Sequence, residues 1–165
     1  MMRHIYALPL WTVTFLMLAL LIVLAMLSLH KNQRKRSIIN AVLCPITVLI
    51  ILYATVLTRT PGSYELILTP FAAIVAARQQ SEFYREMLMN VFLFFPLGLT
   101  LSNALPQKWH RWVRIALTTP VGCILSAGIE CAQYRYALGM AEVDDVICNT
   151  LGAFMARSSV PPRCS

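Results

Sequence analysis

The fold class follows from the sequence ALPLWTVTFLMLALLIVLAMLSL, residues 7–29, and from the cluster KNQRKR, residues 31–36, that comes after it. The first stretch contains no charged residue and exceeds the ~18 apolar residues that a transmembrane helix needs. It is too long for the apolar part of a signal peptide, and no small-residue cleavage site precedes the basic cluster. Together the two stretches predict a helix that crosses a membrane and ends at a basic cytoplasmic loop.

Composition and hydropathy extend this prediction to the whole chain. Hydrophobic residues make up 58% of the 165 residues and charged residues only 13%, against roughly 25% charged in soluble domains. Three further apolar runs, residues 37–58, 87–105 and 115–134, have about the length of a membrane span. A last run begins near Val143 but is uncharged only over residues 146–156, so it spans only if flanking charges reach outward. We predict an all-α transmembrane bundle of about five helices.

The distribution of charge predicts how this bundle is oriented. The net charge is +7, from 14 Lys and Arg against 7 Asp and Glu. Lys and Arg are enriched in cytoplasmic loops, so the cluster at residues 31–36 places the N-terminus outside and the C-terminus in the cytoplasm. Basic residues at 108–114 and 157–163 then also lie inside, and every acidic residue lies toward the outer face. We expect the basic loops to contact membrane lipids and not nucleic acid.

Two linkers at the outer face are expected to contain no spanning helix. Residues 66–77 are uncharged but too short to span, and Pro70 lies near their middle. This pattern predicts an interfacial or re-entrant segment. The linker at residues 135–142 is predicted to be a short loop.

No residue pattern predicts a metal or a cofactor. The five cysteines have no zinc-like spacing with each other or with the three histidines. Four of the cysteines fall inside apolar runs, where cysteine behaves as a small apolar residue. We therefore assign them to packing, and predict no metal site and no cofactor.

Polar residues that are unusual in membrane helices gather near the predicted outer helix ends. Four helices contribute these residues, which are Arg59, Asn90, Glu130, Gln133, Asp144, Asp145 and Asn149. Glu130 and Gln133 are three residues apart and Asp145 and Asn149 are four apart, so each pair shares a helix face. If the helices bundle, these groups converge in one polar pocket within the outer leaflet.

A structural interpretation exists for most of these residues. Asn90 and Asn149 would form interhelical hydrogen bonds. Asp144 and Asp145 would cap the last helix and interact favourably with its dipole. Gly152, one turn beyond Asn149, would let another helix approach closely.

Glu130 is the strongest functional candidate of the group. An ionisable side chain within a membrane is costly and is a functional candidate by default. It requires a partner such as Arg59, or it becomes protonated.

Three stretches of the sequence resemble motifs of VanZ-like membrane proteins. They are residues 90–98 (NVFLFFPLG), similar to N-x-x-x-F-x-P-x-G, residues 129–133 (IECAQ), similar to I-E-x-x-Q, and residues 144–152 (DDVICNTLG), similar to D-D-x-x-x-N-T-x-G. Arg59 and the pair Pro70-Phe71 match weaker upstream features. The likeness extends over residues 55–156, and the chain departs from it at Met140, where many relatives have an arginine before the acidic pair.

The resemblance implies both a domain division and a function. Residues 37–160 correspond to the helical membrane domain, residues 1–36 add a helix and a basic loop, and residues 161–165 form a short tail. It also implies a protein of the bacterial plasma membrane connected with low-level resistance to the glycopeptide antibiotic teicoplanin. We expect the outer pocket to bind a lipid headgroup, a lipid-linked cell-wall precursor or the lipophilic glycopeptide.

Two other classes of function stay open. A membrane enzyme would use Glu130 and Asp145 as paired carboxylates for acid/base or metal-assisted chemistry on a lipid, but no nucleophile motif or histidine base accompanies them. A structural or assembly subunit would use the polar residues only to hold helices together. We favour a binding protein over an enzyme.

Overall fold

The computed structural model of the protein describes residues 17–24, 32–59, 62, 64–71, 81–106 and 108–158. The helices within these ranges are α1 (17–24), α2 (Gln33–Leu52), α3 (Ser81–Ala104), α4 (Arg111–Arg135) and α5 (Val143–Ser158). The prediction of an all-α bundle of about five helices is confirmed over these residues. The tail at residues 161–165 and most of the first apolar run lie outside them.

Three helices in the described ranges are long and apolar enough to cross a bilayer. They are Arg34–Leu57, which joins α2 to the π-helical turn Tyr53–Leu57, Tyr84–Ala104 and Arg111–Arg135. Helix α5 has 16 residues. At 1.5 Å per residue it is about 24 Å long, against a hydrocarbon core of roughly 30 Å. The protein is therefore a membrane protein, while the side on which each helix ends stays a prediction.

The bundle has an apolar outside and a partly polar inside. Large apolar side chains point away from the protein on all three long helices, for example Leu49, Leu88 and Ile124. Several of the most deeply buried side chains are polar, and these include Asn40, Thr47, Thr100, Ser102, Thr118 and Ser126. Lipid tails are as apolar as leucine, so helices in a membrane associate through close packing and polar contacts. This inverted pattern is the one expected of a membrane bundle.

Small residues bring α3 and α5 close together. A Cβ atom on Gly152 would collide with the backbone carbonyl oxygen of Val91, and one on Gly98 would collide with the backbone of Ala153. No side chain fits at either position without moving a helix backbone. The expectation that Gly152 permits a close helix approach is confirmed.

Two short strands close the end of the bundle where α2 and α4 end and α3 and α5 begin, which is called the sheet end below. Strand β1 (Tyr64–Ile67) pairs in parallel with β2 (Gly139–Glu142), with Tyr64 opposite Gly139 and Ile67 opposite Glu142. The sequence pattern does not indicate these strands: it predicts an interfacial segment at residues 66–77, of which the structure describes 66–71, and a loop at residues 135–142. The pairing satisfies backbone N–H and C=O groups, which in an unpaired loop would need water or side chains as hydrogen-bond partners.

Replacing Gly152 with alanine should destabilise the bundle, because its Cβ would overlap the Val91 backbone and force α3 and α5 apart. Overpacking of this kind typically costs about 1–3 kcal/mol, so the unfolding temperature of the protein in detergent should fall. Gly128 in α4 is the matched control, since a Cβ there meets no described atom within 4 Å. Gly128→Ala should keep or raise the unfolding temperature, because alanine favours helix by about 1 kcal/mol. Equal effects of the two substitutions would contradict the close approach.

Candidate functional site

A cleft of about 470 Å³ opens at the sheet end, between the π-helical turn that follows α2 and the first turns of α3. Its polar lining consists of Thr55, Thr58, Arg59, Arg85, Glu86, Asn90, Glu142 and Asp145. Its apolar lining consists of Ala54, Met89, Leu93 and Met140. The cleft therefore combines charged groups of both signs with an apolar wall, which is a suitable surface for an amphiphilic ligand.

Asn90 and Asp145 form the polar link between α3 and α5 at this cleft. The Asn90 side-chain amide donates to a carboxylate oxygen of Asp145 over 2.6 Å. Asn90 lies in the third turn of α3, and Asp145 lies in the first turn of α5, where a carboxylate also interacts favourably with the helix dipole. Since both side chains line the cleft, the bond fixes the position of one carboxylate in its wall.

Arg59 also lines the cleft and lies just after the π-helical turn that follows α2. Its side chain is exposed and passes over Gly139, where a Cβ atom would lie 3.0 Å from a terminal guanidinium nitrogen. Gly139 has a φ of 117°, which only glycine adopts readily. The Arg59 guanidinium interacts electrostatically with Glu130, Glu142 and Asp145. Gly139 therefore provides both the turn and the space that position Arg59.

Glu130 is buried behind the cleft and does not line it. Only 8% of its surface is exposed, and one carboxylate oxygen accepts a hydrogen bond of 3.0 Å from the backbone N–H of Glu142. The side chain thus connects the last turns of α4 to the end of β2. In this position Glu130 supports the strand that presents the Glu142 carboxylate to the cleft.

The other three predicted site residues form bonds between elements away from the cleft. Gln133 donates to the backbone oxygen of Thr55 over 2.9 Å, and Asn149 donates to the Ser126 hydroxyl over 2.8 Å. Asp144 accepts a hydrogen bond of 2.6 Å from the backbone N–H of Phe71, the last described residue after β1. The structure therefore brings Arg59, Asn90 and Asp145 together in the cleft lining. Glu130, Gln133, Asp144 and Asn149 lie among the surrounding helix and strand contacts, and a binding role for any of the seven stays a prediction.

Nine of the twelve residues that line the cleft were not among the predicted site residues, and these nine include Arg85, Glu86, Met140 and Glu142. Glu86 precedes Asn90 by four residues and so shares its helix face, a spacing that could have identified it together with its neighbour Arg85. Glu142 and Met140 reach the cleft because β2 pairs with β1, and no sequence periodicity indicates that pairing. No three His, Cys, Asp or Glu side chains in the described ranges are grouped closely enough to hold a metal ion.

The Glu142 carboxyl is in an environment that disfavours its charged form. Burial raises its pKa, and the neighbouring carboxylates of Asp145, Glu86 and Asp144 raise the pKa further, while Arg59 lowers it. The cleft lining thus contains three carboxylates against two arginines. A positively charged ligand group would relieve this repulsion.

Glu142→Gln should raise the unfolding temperature at neutral pH and have less effect in acid. The pKa of Glu142 in the folded protein lies above the ordinary value of 4.5 that it has in the unfolded chain. Ionisation of Glu142 therefore lowers the free energy of unfolding as the pH rises from 4.5 past the folded-state pKa. The glutamine variant does not lose this stability, so the difference in unfolding temperature between it and wild type should vanish as the pH falls toward 4.5. Thermal unfolding in detergent across this range tests the expectation. Glu65→Gln, an exposed carboxylate on β1 outside the cleft lining, is the control. An equal gain from Glu65→Gln, or a gain that persists in acid, would contradict it.

Comparison with known proteins identifies the family of the chain. The family model described as VanZ/LLP1 matches residues 5–159. A curated relative, "Protein VanZ" of Enterococcus faecium, is 34% identical over 88 residues, which cover 53% of this chain and 47% of the relative. The match thus spans about half the length of that protein. None of the solved structures matches the chain. Because the family model covers nearly the whole sequence, the chain belongs to the VanZ/LLP1 family.

Proposed function

We propose that this protein is a multi-pass component of the bacterial plasma membrane that protects the cell envelope against the glycopeptide teicoplanin. In this proposal the sheet end faces outward and the cleft binds a lipid headgroup, a lipid-linked wall precursor or the lipophilic antibiotic. Family membership and three helices of spanning length support the membrane role. The basic residues at the opposite helix ends, such as Arg36 and Arg114, support the orientation, since cytoplasmic ends are enriched in Lys and Arg.

The cleft between α2 and α3 is the observation that carries this proposal. Its volume of about 470 Å³ falls within the range of small-molecule sites. Apolar residues such as Leu93 and Met89 line one part of it and charged residues line another. Each candidate ligand is an amphiphile that would place its polar group at the charged part and its apolar part along the helices.

An assembly role is the second candidate, and specific hydrogen bonds favour it. Gln133, Asn149 and Asp144 each join two elements and do not line the cleft. If the polar residues served assembly alone, neutralising Arg59 or Asp145 would change only the amount of folded protein. An enzyme with Glu130 and Asp145 as paired carboxylates has less support, since Glu130 accepts a backbone hydrogen bond behind the cleft.

Arg59→Gln and Asp145→Asn should each remove protection against teicoplanin. Each substitution removes one charge from the cleft, and asparagine at position 145 can still accept the hydrogen bond from Asn90. The measurement is teicoplanin and vancomycin susceptibility of a sensitive Gram-positive host that expresses each variant at matched membrane abundance. We expect wild type to protect against teicoplanin several-fold more than against vancomycin, and the two variants to resemble the empty vector.

Substitutions that neutralise charges outside the cleft are the matched controls, because they show whether loss of any surface charge reduces protection. Arg135→Gln removes an exposed arginine that lies over the Tyr136 ring, and Glu65→Gln removes an exposed carboxylate of β1. Neither residue lines the cleft, so both variants should protect as wild type does. Full protection by Arg59→Gln and Asp145→Asn would overturn the binding role, and no protection by wild type would overturn the antibiotic role.

A further inference from the structure

We propose that the cleft binds a zwitterionic amphiphile with an ammonium headgroup, the chemistry of an aminophospholipid. Its ammonium group would interact with the carboxylates of Glu142 and Asp145, and its phosphate with Arg59. Its acyl chains would lie along the apolar wall that contains Ala54 and Leu93. The inference rests on the proposed binding function of the cleft and specifies the chemical class of ligand.

The charges of the cleft lining favour a ligand with charges of both signs. The cations are Arg59 and Arg85, and the carboxylates are those of Glu86, Glu142 and Asp145. A purely anionic ligand would meet three carboxylates, and a purely cationic ligand would meet two guanidinium groups. A zwitterion places each of its charges against the opposite one, which offsets the cost of removing these groups from water.

Arg59 lies apart from the carboxylates of Glu142 and Asp145 and does not neutralise them directly. Arg59 interacts electrostatically with Glu142 and Asp145, yet among the described residues it forms no ion pair with either. Asp145 is held on the α3 and α5 side by Asn90, while Arg59 lies over Gly139. A ligand that spans the cleft with an ammonium group at one end and a phosphate at the other fits this separation.

The apolar wall indicates an amphiphile and not a free headgroup. Ala54 in the π-helical turn and Leu93 in α3 both line the cleft. The same two residues pack against a buried apolar cluster that includes Met17, Leu20 and Leu24 of α1. Ala54 and Leu93 thus form an apolar wall of the cleft that continues the buried core, and contact with hydrocarbon is favourable at such a wall.

Native mass spectrometry of the full chain, released from nanodiscs of mixed lipid, tests the inference without a variant. Phosphatidylethanolamine provides phosphate and ammonium, while phosphatidylglycerol provides phosphate alone. We expect wild type to retain phosphatidylethanolamine at least about ten-fold more strongly, the factor that one charge-assisted hydrogen bond supplies. Soluble glycerophosphoethanolamine, which lacks the chains, should compete poorly. Equal retention of the two lipids, or full competition by the soluble headgroup, would overturn the inference.

Substitutions in the cleft lining test whether a preference for phosphatidylethanolamine arises there. Glu142→Gln should reduce the preference for phosphatidylethanolamine about ten-fold. Because we expect this variant to be more stable than wild type at neutral pH, such a loss does not reflect unfolding. Glu65→Gln is the matched control and should keep the preference. An undiminished preference in Glu142→Gln would overturn the assignment.

The lipid experiment and the antibiotic experiment can each give a negative result independently of the other. If Arg59→Gln and Asp145→Asn abolish protection but wild type shows no lipid preference, the cleft functions with another ligand and this inference is wrong. If wild type selects phosphatidylethanolamine through Glu142 but gives no protection against teicoplanin, the inference holds and the antibiotic role is wrong.

Discussion

The close approach of α3 and α5 is the constraint on which the candidate site depends. Gly98 and Gly152 permit it, because a side chain at either position would meet the backbone of the other helix. The approach brings the start of α5 beside the start of α3, so that Asn90 reaches Asp145 over 2.6 Å. Two of the three family-like motifs thus act together, and neither would position a carboxylate in the cleft alone.

Helix α4 does not line the cleft but supports the elements that do. Through Glu130 it holds the end of β2, and through Gln133 it holds the Thr55 carbonyl after the end of α2. That carbonyl belongs to a π-helical turn, a local distortion that is frequent at functional sites. The third motif therefore supports the two walls of the cleft from behind. Glu130 thus belongs to the support of the cleft and does not line it.

Hydropathy and charge predicted the membrane bundle because lipid exposure constrains every residue of a spanning helix. Runs such as residues 115–134 must be apolar to face hydrocarbon, and this signal is local in sequence. The prediction that Arg59, Asn90 and Asp145 lie close together was possible because each is near a helix end on the same predicted side of the membrane. The sequence did not predict β1 and β2, because parallel pairing between distant loops has no local pattern. Glu142 was missed as a site residue for the same reason, since only that pairing brings it to the cleft.

The electrostatics of the cleft favour a ligand over a purely structural role. Residues that only stabilise a fold are expected to satisfy their polar groups within it, as Asp144 does by accepting a hydrogen bond from the Phe71 backbone. At the cleft, burial and three neighbouring carboxylates raise the pKa of Glu142, so its ionised form lowers stability at neutral pH. A neutral side chain would avoid that loss, and the backbone hydrogen bond from position 142 to Glu130 would remain. Unfavourable charge that the fold does not require is typical of binding sites, where the ligand supplies the missing partner.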